Sequence, residues 1–325
     1  MRCGRCGSKA VIYLGYSHQA LCPAHLEEYL IERVRRAVRG HLPPRGGLLL
    51  MAVSGGKDSA AAAGLLKALE AEASFKLGLV HLDLGVGEYS RRSREAAVKL
   101  SEALEAPLAL ISVEEAVGLS VVELARRSRR PTCSACGVVK RYLLNLAALK
   151  AGAFRLATGH NMDDVAAYAI KAFLTHEPSY AEKLAGHTET LDGLVGRLRP
   201  LIEVGEREAL VYVLSKPLPF SHEECPYVNR EGLEFKAKLF LADLESSRPG
   251  FKISFVRGLV RKASPKPLEE GLVKCESCGM PSSTRKCAFC RLVERALGSS
   301  WRPRSVEEAV EEAVKVFSPR HGSKS

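Results

Sequence analysis

The chain has 325 residues, 46% of them hydrophobic, and a formal net charge of +11. That length and apolar share predict a globular protein with one main domain and smaller attachments. No apolar run reaches the length of a membrane span and the first residues lack a signal-peptide pattern, which excludes an integral membrane protein and places the chain in the cytoplasm. The positive surplus points to a polyanionic partner, nucleic acid first.

The N-terminus reads Cys3-x-x-Cys6, fifteen residues, then Cys22-x-x-His25. Two such knuckles joined by a hairpin bring four soft ligands into a tetrahedron that suits zinc, and four protein ligands close the site, so its role is structural. A piece this short cannot bury a core alone, so the metal is expected to supply its folding energy. From Leu26 to Arg39 the apolar residues Leu26, Leu30, Ile31, Val34 and Val38 recur at helical spacing. The opposite face carries Arg33, Arg35, Arg36 and Arg39, either a nucleic-acid contact or a solvated basic face. Pro43-Pro44 and Gly46-Gly47 mark a linker.

The strand-like run Leu48 to Val53 leads into Ser54-Gly55-Gly56-Lys57-Asp58-Ser59 and then a helix-like run from Ala60 to Leu69. A strand, a glycine turn and a helix start make a phosphate site. The glycines let the backbone approach oxygens, the helix N-terminus adds positive potential, and Lys57 adds a full charge. Ser54 and Ser59 offer hydroxyls to further oxygens. The common ATPase P-loop needs a glycine five residues before the Gly-Lys pair, and Met51 stands there instead. The string resembles the PP-loop of enzymes that split ATP into AMP and pyrophosphate.

Further strands are predicted at Lys76 to Asp83, Pro107 to Val113 and Phe154 to Thr158, alternating with helical patterns. This is a doubly wound parallel α/β domain. Ligands in such sheets lie beyond the carboxyl ends of the strands. Ala52, His81, Gly159 and His160, at those ends, therefore join the nucleotide-binding set. Asp163 and Asp164 open the helix after the fourth strand, where paired carboxylates suit Mg²⁺ or proton handling, or simply cap the helix.

The basic cluster Arg126-Arg127-Ser128-Arg129-Arg130 runs into Cys133-x-x-Cys136 and a helix carrying Lys140 and Arg141. Thr175 to Arg199 is polar, helices are predicted from Glu206 and over Leu233 to Arg261, and a basic link follows to Lys266. Cys275-x-x-Cys278, eight residues, Cys287-x-x-Cys290 reads as a second closed zinc site, a ribbon. A short amphipathic helix and a basic end follow Trp301. The expected organisation is a zinc finger at 1–28, the nucleotide domain at 29–268, the ribbon at 269–300 and a tail at 301–325. Cys133, Cys136 and Cys225 are left over. Such a set reads as a redox pair, a partial metal site or buried apolar residues. Three thiolates cannot close a tetrahedron, but they can hold a cubane by three irons and leave the fourth open.

Taken together, the terminal Cys/His sets, the Ser54–Ser59 loop, Gly87-Glu88-Tyr89-Ser90-Arg91-Arg92-Ser93, Cys133-x-x-Cys136 with Lys140, Gly159 to Asp164 and His222-Glu223-Glu224-Cys225-Pro226 resemble the tRNA-5-methyluridine 2-sulfurtransferases of the TtuA type. The resemblance covers nearly the whole chain. It implies that ATP adenylates the 2-oxygen of the uridine at tRNA position 54 and that sulfur then displaces AMP. It also implies a [4Fe-4S] cluster on Cys133, Cys136 and Cys225 with one open iron, two Zn²⁺, and Mg²⁺ with the ATP. Lys140 and Asp164, with Asp163 second, are implied in catalysis. The implied partners are tRNA and a ubiquitin-like carrier ending in a thiocarboxylate, and a homodimer is expected. The wobble-uridine thiolases share the architecture. An amidating or lysidine-forming ligase would not need the three central cysteines, and a non-catalytic zinc-ribbon binder would not need the intact loop.

Overall fold

The computed structural model describes residues 1–176, 187–262, 272–298 and 301–318. Strands β1 (Ile12–Leu14) and β2 (Gln19–Leu21) form an antiparallel hairpin, and helix α1 (Pro23–Val38) follows. Pro23 sits in the first helical turn, where its missing N–H costs nothing. The expected boundary at residue 28 lies inside this helix. The hairpin also differs from the expectation of a module without a core. Ile12, Leu14, Leu21 and Leu26 are buried in the same apolar cluster as Leu49, Leu66 and Val213 of the nucleotide domain. The apolar alternation of the hairpin has meaning only once that domain's surface is present to receive it.

The central sheet has five strands in the order β5-β4-β3-β6-β7, all parallel: β3 (Leu48–Ala52), β4 (Lys76–Asp83), β5 (Leu108–Ser112), β6 (Arg155–Thr158) and β7 (Arg197–Leu198). Strands β3 and β5 are near-continuous apolar runs, as expected where both faces are covered. On one face lie α1, α2 (Lys57–Ala73), α3 (Gly87–Ala103) and α8 (Glu206–Ser215). On the other lie α4 (Val113–Val117), α5 (Val121–Ser128) and α6 (Thr132–Lys150). Helix α7 (Met162–Leu174) packs with α9 (Leu233–Ser247) and α10 (Phe251–Lys262) in a smaller cluster. The helical patterns read over Leu233 to Arg261 are thus two helices. Pro249 and Gly250 lie between them, with Gly250 at φ +96°.

The C-terminal ribbon has β8 (Val273–Lys274), β9 (Pro281–Ser282) and α11 (Ala288–Leu297), and α12 (Arg304–Val314) follows. Phe289, Leu292 and Val293 of α11 share one buried cluster with Leu124 and Tyr142, and the Tyr142 and Phe289 rings stack at 3.8 Å. Much of the polar stretch from Thr175, most of the link through Lys266, the boundary near 268 and the basic end of the chain lie outside the described residues. Among the described residues, no helix is long and apolar enough to cross a membrane.

Candidate active site and metal centres

The strand order reverses between β3 and β6, so the loops after these two strands face each other at the switch point of the sheet. Gly55 makes the turn after β3 at φ +85°, and a Cβ there would lie 2.6 Å from the Ser93 carbonyl oxygen. Only glycine fits. Gly159, after β6, meets Ser59 just as closely: an added Cβ would lie 2.9 Å from the Ser59 Cα. The serines brace the loop. The Ser54 N–H donates to Ser59 Oγ at 3.1 Å, and Ser59 Oγ donates to the Gly56 carbonyl at 2.8 Å. No side chain caps the N-terminus of α2, so its first-turn N–H groups are available to an anion.

The charged residues around this loop are already paired. Lys57 Nζ lies 2.8 Å from both Asp58 and Glu206. Burial alone would depress its pKa, but the two carboxylates outweigh burial and raise it. Asp58 is held partly protonation-prone by burial, against the pull of Lys57 and of Asn161, whose amide donates to it at 3.1 Å. Asp164 completes a capping box with Asn161 and ion-pairs with Lys238. Asp163 accepts the Glu206 N–H at 2.8 Å and holds Lys252 at 2.6 Å. The capping reading thus applies to Asp164, while Asp163 ties α7 to α8 and α10.

His81 is buried, its Nδ1 2.8 Å from the Val53 carbonyl and its Nε2 without a partner. Burial keeps it neutral by lowering its pKa. It lines a cavity of about 80 Å³ together with Ala52, Ser54, Tyr89 and Lys140. His160 bonds to Thr158 at 2.9 Å and is likewise pushed down by burial and by Arg199. Arg199 is 7% exposed, and its Nε and Nη1 have no partners. Burial and the neighbouring Arg197 lower it to about 10. Lys238, Lys252 and Arg197 were not singled out in the sequence; Asn161 was quoted only within the Gly159–Asp164 string, and Arg199 and Glu206 only as segment positions. The Arg-Leu-Arg run at Arg197–Arg199, with two cations one residue apart at the end of a short strand, was the one readable signal.

The three central cysteines converge. Cys133 and Cys136 lie in the first turns of α6. The Cys133 thiol donates to the Tyr227 carbonyl at 2.9 Å, two residues beyond Cys225. Burial pushes the Cys136 thiol up, while Lys140 pulls it down and Cys225 and Cys133 act as close neighbours. One segment joins this group to the nucleotide loop. The Ser221 N–H donates to the Gly55 carbonyl at 2.7 Å, and Glu223 pairs with Arg92 of α3 at 3.0 Å.

The terminal sets are tighter. Cys6 and Cys22 sulfurs lie 3.7 Å apart, and His25 Nδ1 lies 3.4 Å from Cys3 and 3.3 Å from Cys22. In the ribbon Cys278 and Cys287 lie 3.8 Å apart, with Cys275 and Cys290 gathered on them. Zinc–sulfur bonds near 2.3 Å in a tetrahedron put sulfurs about 3.8 Å apart. Both sets fit such a cage. The central trio is not drawn so close; thiolates on separate irons of one cluster need not touch each other.

The fold and loop define a PP-loop nucleotide-binding protein, and a family model described as PP-loop domain matches residues 30–229. A second, described as the N-terminal LIM domain of 2-thiouridine synthetase TtuA, matches residues 2–27. The tRNA-5-methyluridine(54) 2-sulfurtransferase of Pyrococcus horikoshii is 37% identical over 90% of this chain and 93% of its own. The enzyme of the same name from Thermus thermophilus is 38% identical over 90% and 91%. Among solved structures, the U34-tRNA thiolase NcsA from Methanococcus maripaludis with its [4Fe-4S] cluster superimposes with a TM-score of 0.77 at 25% identity, covering 93% of this chain and 98% of that one. The chain belongs to the PP-loop tRNA 2-sulfurtransferase family.

Proposed function

We propose that the protein is a tRNA 2-thiolating enzyme that adenylates the 2-oxygen of 5-methyluridine 54 and replaces that oxygen with sulfur. The observation that carries this is the Ser221–Tyr227 segment, which ties the ATP-type loop to three convergent cysteines. A ligase that merely adenylates has no use for that connection. Position 54 rather than 34 is favoured by the sequence relatives, which are more similar than the solved wobble-uridine enzyme.

ATP lies with its phosphates on the Gly55–Ser59 amides and Lys57, and Mg²⁺ enters with them. The adenine side faces the strand ends at Ala52, His81, Gly159 and His160. The uridine 2-oxygen attacks the α-phosphorus and pyrophosphate leaves. Sulfur then attacks C2, and the oxygen departs on AMP. Lys140, lining the nucleotide cavity and adjoining Cys136, offsets phosphate charge. Asp164 is the better candidate for proton handling at the base, because its side chain is 20% exposed against 12% for Asp163. Cys133, Cys136 and Cys225 would hold the [4Fe-4S] group, which supplies an open iron position for sulfide. Cys3, Cys6, Cys22 and His25, and the four ribbon cysteines, would hold structural Zn²⁺. A thiocarboxylated carrier protein supplies the sulfur in the cytoplasm. A homodimer is supported by the exposed Phe173, Leu174, Leu239 and Phe240 of α7 and α9.

The test is mass spectrometry of position-mapped nucleosides after anaerobic reaction with ATP, Mg²⁺, sulfide and tRNA that carries 5-methyluridine 54 but no 2-thio group. The expected product is the 2-thio base at position 54 with one pyrophosphate released per sulfur. Cys136→Ser protein is expected to keep its fold and ATP binding and to form no thio base. Thiolation at 34 would reassign the substrate, and a nitrogen adduct would sink the reading.

A further inference from the structure

A second recognition site lies away from the nucleotide loop. The β1–β2 turn, α1 and the α9–α10 turn enclose an open groove of about 710 Å³, far larger than the cavity beside His81. Arg33, Arg36, Arg248 and Arg257 line it, and none of its lining residues is acidic. Arg33 is 3% exposed and its guanidinium lies 4.8 Å from the ring centroids of both Tyr16 and Tyr29. One arm of Arg33 donates to the Glu203 carbonyl, but its Nε is buried without a partner, as is the Ser17 hydroxyl that also lines the groove. Arg257 is paired with Glu203 at 2.7 Å, whereas Arg248 is exposed and makes no ion pair among the described residues. Phe251, 40% exposed, adds an aromatic face.

The lining is rich in donors and aromatic rings and carries no carboxylate. It is thus built for phosphate oxygens and a stacked base, and it offers little to read base identity or ribose hydroxyls. Arg36 and Arg248 are exposed at an open groove that does not close over one ligand, which suits successive phosphates of a chain. The net charge of +11 favours the same partner. We propose that this groove is a second tRNA contact, binding the phosphate backbone with an unstacked base against its aromatic wall. The inference rests on the tRNA-thiolating reading. The groove is also connected to the reaction site: Lys252, in the first turn of the helix that forms one wall, holds Asp163 at 2.6 Å.

The experiment measures tRNA affinity between about 50 and 200 mM salt, the range over which phosphate contacts are read. It compares the wild-type holoenzyme with an Arg36→Gln/Arg248→Gln protein. Both side chains are exposed, so the fold is expected to hold, and ATP binding is the control. The expected result is about tenfold weaker tRNA binding and a salt slope reduced by about 1 per lost arginine, with the ATP Kd unchanged. Wild-type protein that binds tRNA and a double variant that binds it equally well would overturn the groove alone. Wild-type protein with no salt-dependent affinity for tRNA would overturn the thiolase reading and the groove with it. If the double substitution instead abolishes binding of AMP to Lys57→Ala protein while leaving tRNA binding intact, the groove is a free-nucleotide site and the RNA assignment falls.

Discussion

The cysteines at the ends of the chain and those in its middle differ in the way that separates scaffold from chemistry. At the ends, four donors close on one another, and Cys3, Cys22, Cys275, Cys287 and Cys290 are buried. In the middle, Cys133 is exposed, Cys136 and Cys225 are half-buried, and a cation, Lys140, adjoins Cys136. A closed set of four donors leaves no position for an outside ligand, so a metal held there would contribute folding energy. Three cysteines at a helix N-terminus beside a nucleotide loop would leave a bound group one position unfilled by protein.

The largest expected effect breaks a closed site. Cys278→Ser removes one of four donors from a ribbon whose Phe289 stacks on Tyr142 of the main core. Structural zinc is worth on the order of 10 kcal/mol in isolated fingers, so losing most of it is expected to lower Tm by about 10 °C or more. Zinc content and a melting curve check this, with Cys136→Ser expected to melt within about 2 °C of wild type. Equal loss in both proteins would erase the distinction.

The two terminal Cys/His sets were readable because their ligand spacing is local. So were β3, β4 and the glycine loop, where apolar runs and turn residues follow one another within a few positions. The pairing of the charges was not readable. Lys57 meets Glu206, Asn161 meets Asp58, and Lys252 meets Asp163, each across roughly a hundred residues or more of chain. Nothing in a single sequence encodes such partners, so Asp163 and Asp164, read as suited to Mg²⁺ or proton handling or as helix caps, gave no sign of the lysines that pair with them. The helical patterns over Leu233 to Arg261 were readable, and Pro249-Gly250 marks where the two helices part. The burial of the N-terminal hairpin depends on a surface assembled from distant segments, so spacing within residues 1–28 held no sign of it.

An intermediate effect is expected at the loop. Lys57→Ala removes one charge-assisted phosphate contact, worth roughly 1.5–3 kcal/mol, so ATP affinity should fall about tenfold to a hundredfold. Calorimetric titration with ATP measures it. An iron-sulfur cluster held by the central cysteines, as proposed, should keep its visible absorbance in this protein, because Lys57 lies on a different segment from all three. Loss of colour together with loss of ATP binding would mean that loop and cysteines form a single cooperative unit.

The smallest effect concerns what Lys57 does before ATP arrives. Its ammonium is shared between Asp58, its neighbour in sequence, and Glu206 at the start of α8, each at 2.8 Å. Asp58 is anchored by Asn161, so it cannot withdraw. Glu206 is the more exposed of the two at 43%, and its charge stands against the incoming phosphates. Glu206→Gln should therefore free Lys57 and reduce repulsion, while Asp58 still orients the lysine. Because the pair is partly solvated, the gain is limited to that of an exposed ion pair, about 0.4–1 kcal/mol, or a two- to fivefold tighter ATP Kd. The Glu206 N–H that Asp163 accepts belongs to the backbone and survives the substitution, so α7 and α8 should stay joined. A weaker ATP Kd in this protein would show that Glu206 holds Lys57 ready for phosphate rather than competing for it. The loop would then be pre-formed around its own carboxylates, not released by its ligand.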